Sequence, residues 1–443
     1  MDKFIIHGGI PLKGEISVAG AKNVALKILV ASILTDEEMV IHNVPQIRDV
    51  FFMLEVLKVL GVESTVTGHT VRVVNRHKEH AKVPLEVGAR LRTSSMVMGP
   101  LLARYGEATT PNPGGCRLGA RPIDRHVDAL QEMGASITYH SDDGYFYGKA
   151  NGLHGATIRF AKNTHTGTET IILAAVLARG QTILENAAEE VEIDDLIACL
   201  NQMGAKIRRE SPRKIIIDGV SALHGTDYSI MPDRNEEVTF AIASVMTGGD
   251  ILVRNSQRQH LDAFLQMFTK AGGRHEAINN TSTRYFHDGL LHATNVVTAS
   301  YPGFMTDWQA PWAVLMTQAK GVSTIHETVF ESRFSYVSEL KKMGAHIEFF
   351  DPPVDNPEAF YNFNWGDRVL GYHQGIRITG PTKLHNAVLE IDDLRAGATL
   401  ILAALSAAGE SVIHGVEQVD RGYENIEERL RSLGAKIERT KEE

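Results

Sequence analysis

Cysteine is scarce in this chain: 443 residues carry two, Cys116 and Cys199. At most one bridge joins them, so a disulfide scaffold is excluded and each thiol is expected to be free. Long apolar runs are missing as well. No stretch approaches the roughly 18 consecutive apolar residues of a membrane span, and the opening Met1-Asp2-Lys3-Phe4-Ile5-Ile6-His7-Gly8-Gly9 lacks a signal peptide's apolar region. A cytoplasmic protein with no membrane partner is expected. There is no excess of positive charge, the formal net charge being −9, which argues against general nucleic-acid binding, because that partner is held by a basic field. An anionic ligand must then be captured by a local cluster of Arg and Lys. What is present is ordinary for a globular protein, with 43% hydrophobic and 22% charged residues, and the length implies two domains.

A phrase recurs six times: Leu60-Gly61-Val62, Met133-Gly134-Ala135, Met203-Gly204-Ala205, Ala271-Gly272-Gly273, Met343-Gly344-Ala345 and Leu433-Gly434-Ala435. The spacing is about seventy residues, longer by about twenty at the last step, which is a domain-sized supersecondary unit rather than a solenoid repeat. Each phrase ends a stretch of helical periodicity, such as Ile193, Leu196, Ile197, Leu200 and Met203, and its glycine suits the left-handed position that stops a helix. Each unit reads as strand, helix, strand, helix and one or two further strands. Six such α/β units predict two three-repeat domains, 22–230 and a second made of 1–21 with 231–443. The extra length falls in an irregular aromatic segment near 351–372, an inserted surface excursion.

In every unit the turn before the first helix carries polar residues: Lys22-Asn23, Arg90 and Arg92, His165-Thr166-Gly167, Asp233-Arg234, Thr306-Asp307, and Asp393 with Arg395. Helix N-termini present free N–H groups and a positive dipole end, which suits phosphates and carboxylates. Asp and Thr there also serve as caps, but Arg and Lys oppose the dipole and call for an anion. The segment Pro113-Gly114-Gly115-Cys116-Arg117-Leu118-Gly119-Ala120-Arg121-Pro122-Ile123-Asp124-Arg125-His126 sets one thiol on a glycine-rich loop among cations that favour thiolate. Cys199, on an apolar helical face, is expected to be buried and inert.

At these residues the chain closely resembles the UDP-N-acetylglucosamine 1-carboxyvinyltransferases. The resemblance rests on Gly20-Ala21-Lys22-Asn23, Pro113-Gly114-Gly115-Cys116, Gly119-Ala120-Arg121-Pro122, Met231-Pro232-Asp233-Arg234, Thr306-Asp307, Glu327-Thr328-Val329-Phe330-Glu331 with Arg333, Asp393-Leu394-Arg395-Ala396 and Asp420-Arg421-Gly422-Tyr423-Glu424. It implies two inside-out α/β barrel domains of three repeats each, with the active site in the interdomain cleft. It also implies transfer of the enolpyruvyl group of phosphoenolpyruvate to the 3′-hydroxyl of UDP-N-acetylglucosamine, the first committed step of peptidoglycan synthesis. Lys22, Arg121 and Arg421 would hold the donor phosphate, and Arg333 and Arg395 its carboxylate, since Arg's planar fork matches both anions. Asp307 would take or orient the hydroxyl proton, and Cys116 would act as acid toward the methylene carbon and as the target of fosfomycin. Asn23, Arg92, Arg121, Pro122, Ile123, Asp124, Arg125, His126, His165, Thr166, Gly167, Asp307 and Val329 would bind the UDP-sugar. The implied addition and elimination require no metal or redox cofactor.

The chain departs from the family's pattern at Arg48, His165, Glu169 and Asn235-Glu236-Glu237-Val238. Glu169 and Glu237 near a diphosphate would repel it, so each is expected to face a cation such as Arg234 or to mark a changed acceptor. Two other readings stand beside the main one: an enolpyruvyl transferase for another acceptor, either a variant UDP-sugar or shikimate 3-phosphate, and a silent nucleotide-sugar-binding paralogue. The shikimate 3-phosphate branch lacks the Pro-Gly-Gly-Cys loop, and retention of Lys22, Cys116, Asp307, Arg395 and Arg421 together argues against the silent one.

Overall fold

The computed structural model describes residues 2–76, 81–114 and 122–441. All six phrase glycines stand in the left-handed region, from φ +88° at Gly61 to +100° at Gly204, where a side chain would be strained. Each therefore ends its helix as the repeat predicts. The helix Val191–Gln202 buries Ile193, Leu196, Ile197 and Leu200 on one face. Cys199 lies in the same core, and burial pushes its thiol up to about 12.

Six sheets are built to one plan. In the sheet of the third repeat, Thr157–Arg159 runs parallel to Gln181–Glu185, which pairs antiparallel with Lys214–Asp218, and that strand pairs antiparallel with Lys206–Ser211. Five sheets have four such strands. In the sixth, Glu107–Pro111, Tyr145–Lys149 and Ser136–His140 are joined by a single parallel bridge from Lys82 to Thr109.

Contacts divide the chain into two units, one of the described residues within 1–19 and 232–443, the other of those within 20–114 and 122–231. Two first strands are exchanged along the sequence. Lys13–Ser17 pairs with Asp250–Arg254 in the first unit, and Thr226–Ser229 pairs with Met39–His42 in the second. The amino-terminal strand Asp2–Gly8 completes a sheet between Gly409–His414 and Lys436–Lys441.

Within the first unit the helices Arg234–Met246, Thr306–Met316 and Leu394–Ser406 pack on one another. Every residue of Arg234–Met246 is buried, the condition of a helix surrounded by core. The sheets lie outside, their strands alternating buried and half-buried positions as at Ser411 to His414 in the strand Gly409–His414. In the second unit the helix His165–Ala175 packs on Met98–Tyr105 and on the 3-10 turn Arg92–Val97, which also meets Lys22–Ala31. The six inner segments therefore begin at the six polar turns.

The aromatic segment near 351–372 folds back on the first unit. Tyr361 is buried, stacks on Trp365 at 4.6 Å between ring centroids, and shares a 3.0 Å hydrogen bond between its hydroxyl and His326 Nε2. Asn362 N donates to Thr328 O at 2.8 Å, which sets the segment beside the 327–330 turn. No helix among the described residues is long and apolar enough to cross a membrane.

Candidate active site

In the first unit, three inner helices bring their first residues together around Asp307. Asp233 and Asp393 cap two of them, each accepting from two backbone N–H groups. Asp307, the second residue of the third, accepts from Arg333 Nη2 at 2.5 Å and has Arg395 Nη2 at 3.6 Å from its other oxygen. Both guanidiniums are largely buried. Burial opposes their charge, yet Asp307 with Asp393 for Arg333, and Tyr423 with Asp307 for Arg395, hold both above the ordinary arginine value. Arg395 is fixed further by Tyr423, whose hydroxyl accepts from Nη1 at 3.0 Å and shares a 2.8 Å hydrogen bond with Thr239. Arg333 is steadied through its carbonyl, which accepts from Gln309 Nε2, and its guanidinium sits over Phe330.

Glu327 organises the turn that carries Val329. Its Oε1 accepts from Val329 N and Phe330 N, and its Oε2 accepts from Thr306 Oγ1 at 2.9 Å. Burial raises this carboxyl above its usual range despite the nearby Arg333. Arg421 ends the 3-10 turn Val416–Arg421 and reaches Gln418 Oε1 at 3.4 Å. The preceding Asp420 is gripped by Arg439 from the last strand, at 2.6 and 3.0 Å.

In the second unit Lys22 opens its helix with no side-chain cap and pairs with the buried Asp49 at 2.7 Å. The anion met by this N-terminal cation is thus a protein carboxylate. Asn23 follows it, half-buried. Arg92 Nη2 donates to Pro122 O at 3.5 Å, Arg125 Nη1 to Asn163 O at 3.3 Å, and His126 Nε2 lies 3.0 Å from Thr166 Oγ1. Burial, then the charges of Arg92 and Arg125, push the His126 imidazole down to about 3. Ile123 is buried ahead of the helix Asp124–Glu132, whose first residue Asp124 is exposed. Thr164 caps the next inner helix by accepting from Gly167 N, which leaves His165 as its first residue. Cys116 and Arg121 lie outside the described residues. Gly114, just before them, packs so closely on the Ala89 carbonyl that a Cβ would collide with it.

The departures prove to be internally partnered. Glu169 does face cations, but they are Lys27 and His165 rather than Arg234. Glu237 faces none among the described residues: it accepts from Ser256 Oγ at 2.5 Å, Tyr285 Oη at 2.7 Å and Gln257 N at 2.8 Å, and burial raises its carboxyl. The expected cation partner of Glu237 is thus replaced, among the described residues, by these neutral donors. Asn235 accepts from Trp308 Nε1. Glu236 binds Arg429 and accepts from Ala19 N. Sequence reading passed over Lys27, Asp49, Tyr423 and Arg439. Lys27 and Asp49 sit among apolar residues of helices, where periodicity registers only the core, and Tyr423 entered only as part of a motif.

The fold is that of an enolpyruvyl transferase. A family model described as EPSP synthase (3-phosphoshikimate 1-carboxyvinyltransferase) matches residues 6–430, and the chain belongs to that family. Its relatives include the UDP-N-acetylglucosamine 1-carboxyvinyltransferase of Acidobacterium capsulatum, 43% identical over 443 residues and covering 99% of this chain and 96% of the relative. The enzyme of the same name from Nitratidesulfovibrio vulgaris is 42% identical over 442 residues, the whole of both chains. Among solved structures, the enolpyruvyl transferase NikO from Streptomyces tendae matches with a TM-score of 0.85 at 24% identity, covering 100% of this chain and 99% of that one. EPSP synthase from Acinetobacter baumannii matches at 0.74 and 18%, covering all of both chains. These two describe the fold.

Proposed function

We propose that the chain transfers the 1-carboxyvinyl group of phosphoenolpyruvate to the 3′-hydroxyl of UDP-N-acetylglucosamine and releases phosphate, as the first committed step of peptidoglycan synthesis in the cytoplasm. The observation that carries this reading is the convergence of Arg333 and Arg395 on Asp307, with Tyr423 fixing one of the guanidiniums. Two buried guanidiniums suit a small carboxylate, and the carboxylate already between them is the candidate proton acceptor. An incoming donor carboxylate competes with Asp307 for both cations. Asp307 is then released toward the acceptor hydroxyl as the donor is seated, which couples binding to proton removal.

Lys22, Arg121 and Arg421 take the phosphate. The hydroxyl oxygen adds to C2 of the enol, its proton passing to Asp307, while Cys116 gives a proton to C3. Loss of a proton from C3 then expels phosphate and restores the vinyl group. Asn23, Arg92, Pro122 to His126, His165 to Gly167 and Val329 hold the acceptor. Phosphate release measured with UDP-N-acetylglucosamine, other UDP-sugars and shikimate 3-phosphate tests the assignment. UDP-N-acetylglucosamine is expected to be the efficient acceptor, and release only with one of the others would overturn it.

A further inference from the structure

Three ionisable side chains meet inside the second unit, away from the groups assigned to the reacting atoms. Lys27 Nζ, from the helix Lys22–Ala31, lies 3.3 Å from Glu169 Oε2. His165 Nε2, one turn before Glu169 on its own helix, lies 3.2 Å from Oε1. Glu169 is fully buried, Lys27 is 4% exposed, and His165 is 25% exposed at the start of its helix. Opposite charge and the short His165–Glu169 contact hold the group together.

Glu190, buried ahead of the helix Val191–Gln202, adds a second carboxylate that acts on His165. One lysine cannot balance two buried carboxylates, and an unbalanced buried charge is costly. An imidazolium at His165 supplies a second positive charge facing the two carboxylates. Burial, and Lys27 after it, work against that charge, but Glu169 and Glu190 outweigh them and raise the imidazole above its usual value. Across the turn, His126 contacts Thr166 and is held neutral. The turn 165–167 thus has His165, its imidazole raised, at its first residue and the neutral His126 against Thr166. A cation at a helix N-terminus opposes the dipole, and a bound anion relieves that opposition.

We propose that Glu169 and Lys27 are positioning residues that hold His165 as a cation on the turn 165–167, where it favours a diphosphate-bearing acceptor. This rests on the acceptor reading above. The imidazolium is present below the raised value and is lost as pH climbs through it, so acceptor affinity falls on the alkaline side. Removing the Glu169 charge leaves Glu190 alone to oppose burial and Lys27, and moves the break to lower pH.

The test compares wild type with Glu169→Gln, His165→Ser and the charge-free pair Lys27→Met/Glu169→Gln, which keeps the volume buried if the single variant fails to fold. The His165 ring is followed by NMR in ring-labelled protein, assigned by its loss in His165→Ser. In parallel, KM for UDP-N-acetylglucosamine and for phosphoenolpyruvate is measured across roughly pH 5 to 9, which covers the ordinary histidine range and a value raised above it. In wild type the acceptor KM is expected to rise about tenfold through the His165 transition, the difference between a charged and a neutral donor to phosphate. In Glu169→Gln both the ring titration and the KM break should move to lower pH, while the phosphoenolpyruvate KM is unchanged. Identical His165 titration in wild type and Glu169→Gln would overturn the proposal. So would a shifted titration with an unshifted acceptor profile. No turnover of UDP-N-acetylglucosamine by wild type overturns the acceptor reading itself, and the ring titration then reports on the charge triad separately.

Discussion

Tyr423→Phe removes one oxygen from the first unit and leaves every charge in place. The hydroxyl is buried, accepts from Arg395 Nη1 at 3.0 Å and pairs with Thr239 Oγ1 at 2.8 Å. Thr239 keeps a second partner, donating to Asn235 O at 3.2 Å, so the loss falls on Arg395. A hydrogen bond to a charged group is worth about 1.5–3 kcal/mol, and Arg395 is left with the carboxylates around it, Asp307 at 3.6 Å among them. The guanidinium should swing toward Asp307 and present a poorer fork to the donor carboxylate. At about 1.4 kcal/mol per tenfold, KM for phosphoenolpyruvate should rise at least tenfold with a smaller change in kcat. The melting temperature should fall by about 2–4 °C per kcal/mol lost. Initial rates at varied phosphoenolpyruvate and a thermal melt give both numbers. A lower melting temperature with an unchanged donor KM would mean that Tyr423 supports the core without placing Arg395.

Lys22→Ala and Arg421→Ala should each cost about 1.5–3 kcal/mol of donor binding, seen as reduced efficiency at low phosphoenolpyruvate. Fosfomycin should add one molecule per chain, mapped by mass spectrometry to the peptide containing Cys116. Cys199 should stay unmodified because its buried thiol, pushed up to about 12, is not ionised near neutral pH, and Cys116→Asp should keep some turnover and lose the adduct. His126, held near 3 in the fold against about 6.5 in an unfolded chain, favours the unfolded state increasingly as pH falls below about 6.5. His126→Gln should therefore flatten the drop in melting temperature between about pH 7 and 4.

The sixfold repeat was legible because a helix-stopping glycine and the helical period before it are local features. Gly61, Gly134, Gly204, Gly272, Gly344 and Gly434 all take the left-handed conformation that their phrases imply. The polar turns were legible for the same reason, each lying just before an apolar helix. Strand exchange was not, since nothing near Lys13–Ser17 specifies a partner at Asp250–Arg254, more than two hundred residues away. Buried charge pairing was hidden as well. Lys27 lies within a run that periodicity reads as core, so its meeting with Glu169 depends on how two helices pack. Glu237 drew attention as an unmatched carboxylate, whereas its partners Ser256, Gln257 and Tyr285 are neutral donors brought up by neighbouring strands.

Addition and elimination on the enol leave a trace in the product when the reaction is run in deuterium oxide. With UDP-N-acetylglucosamine and phosphoenolpyruvate, the product isolated and read by mass spectrometry and NMR should be the 3′-O-carboxyvinyl sugar nucleotide, formed one for one with phosphate. Its vinyl group should carry solvent deuterium, because C3 is protonated and then deprotonated. A product without deuterium, or phosphate released with no carboxyvinyl ether formed, would contradict the account.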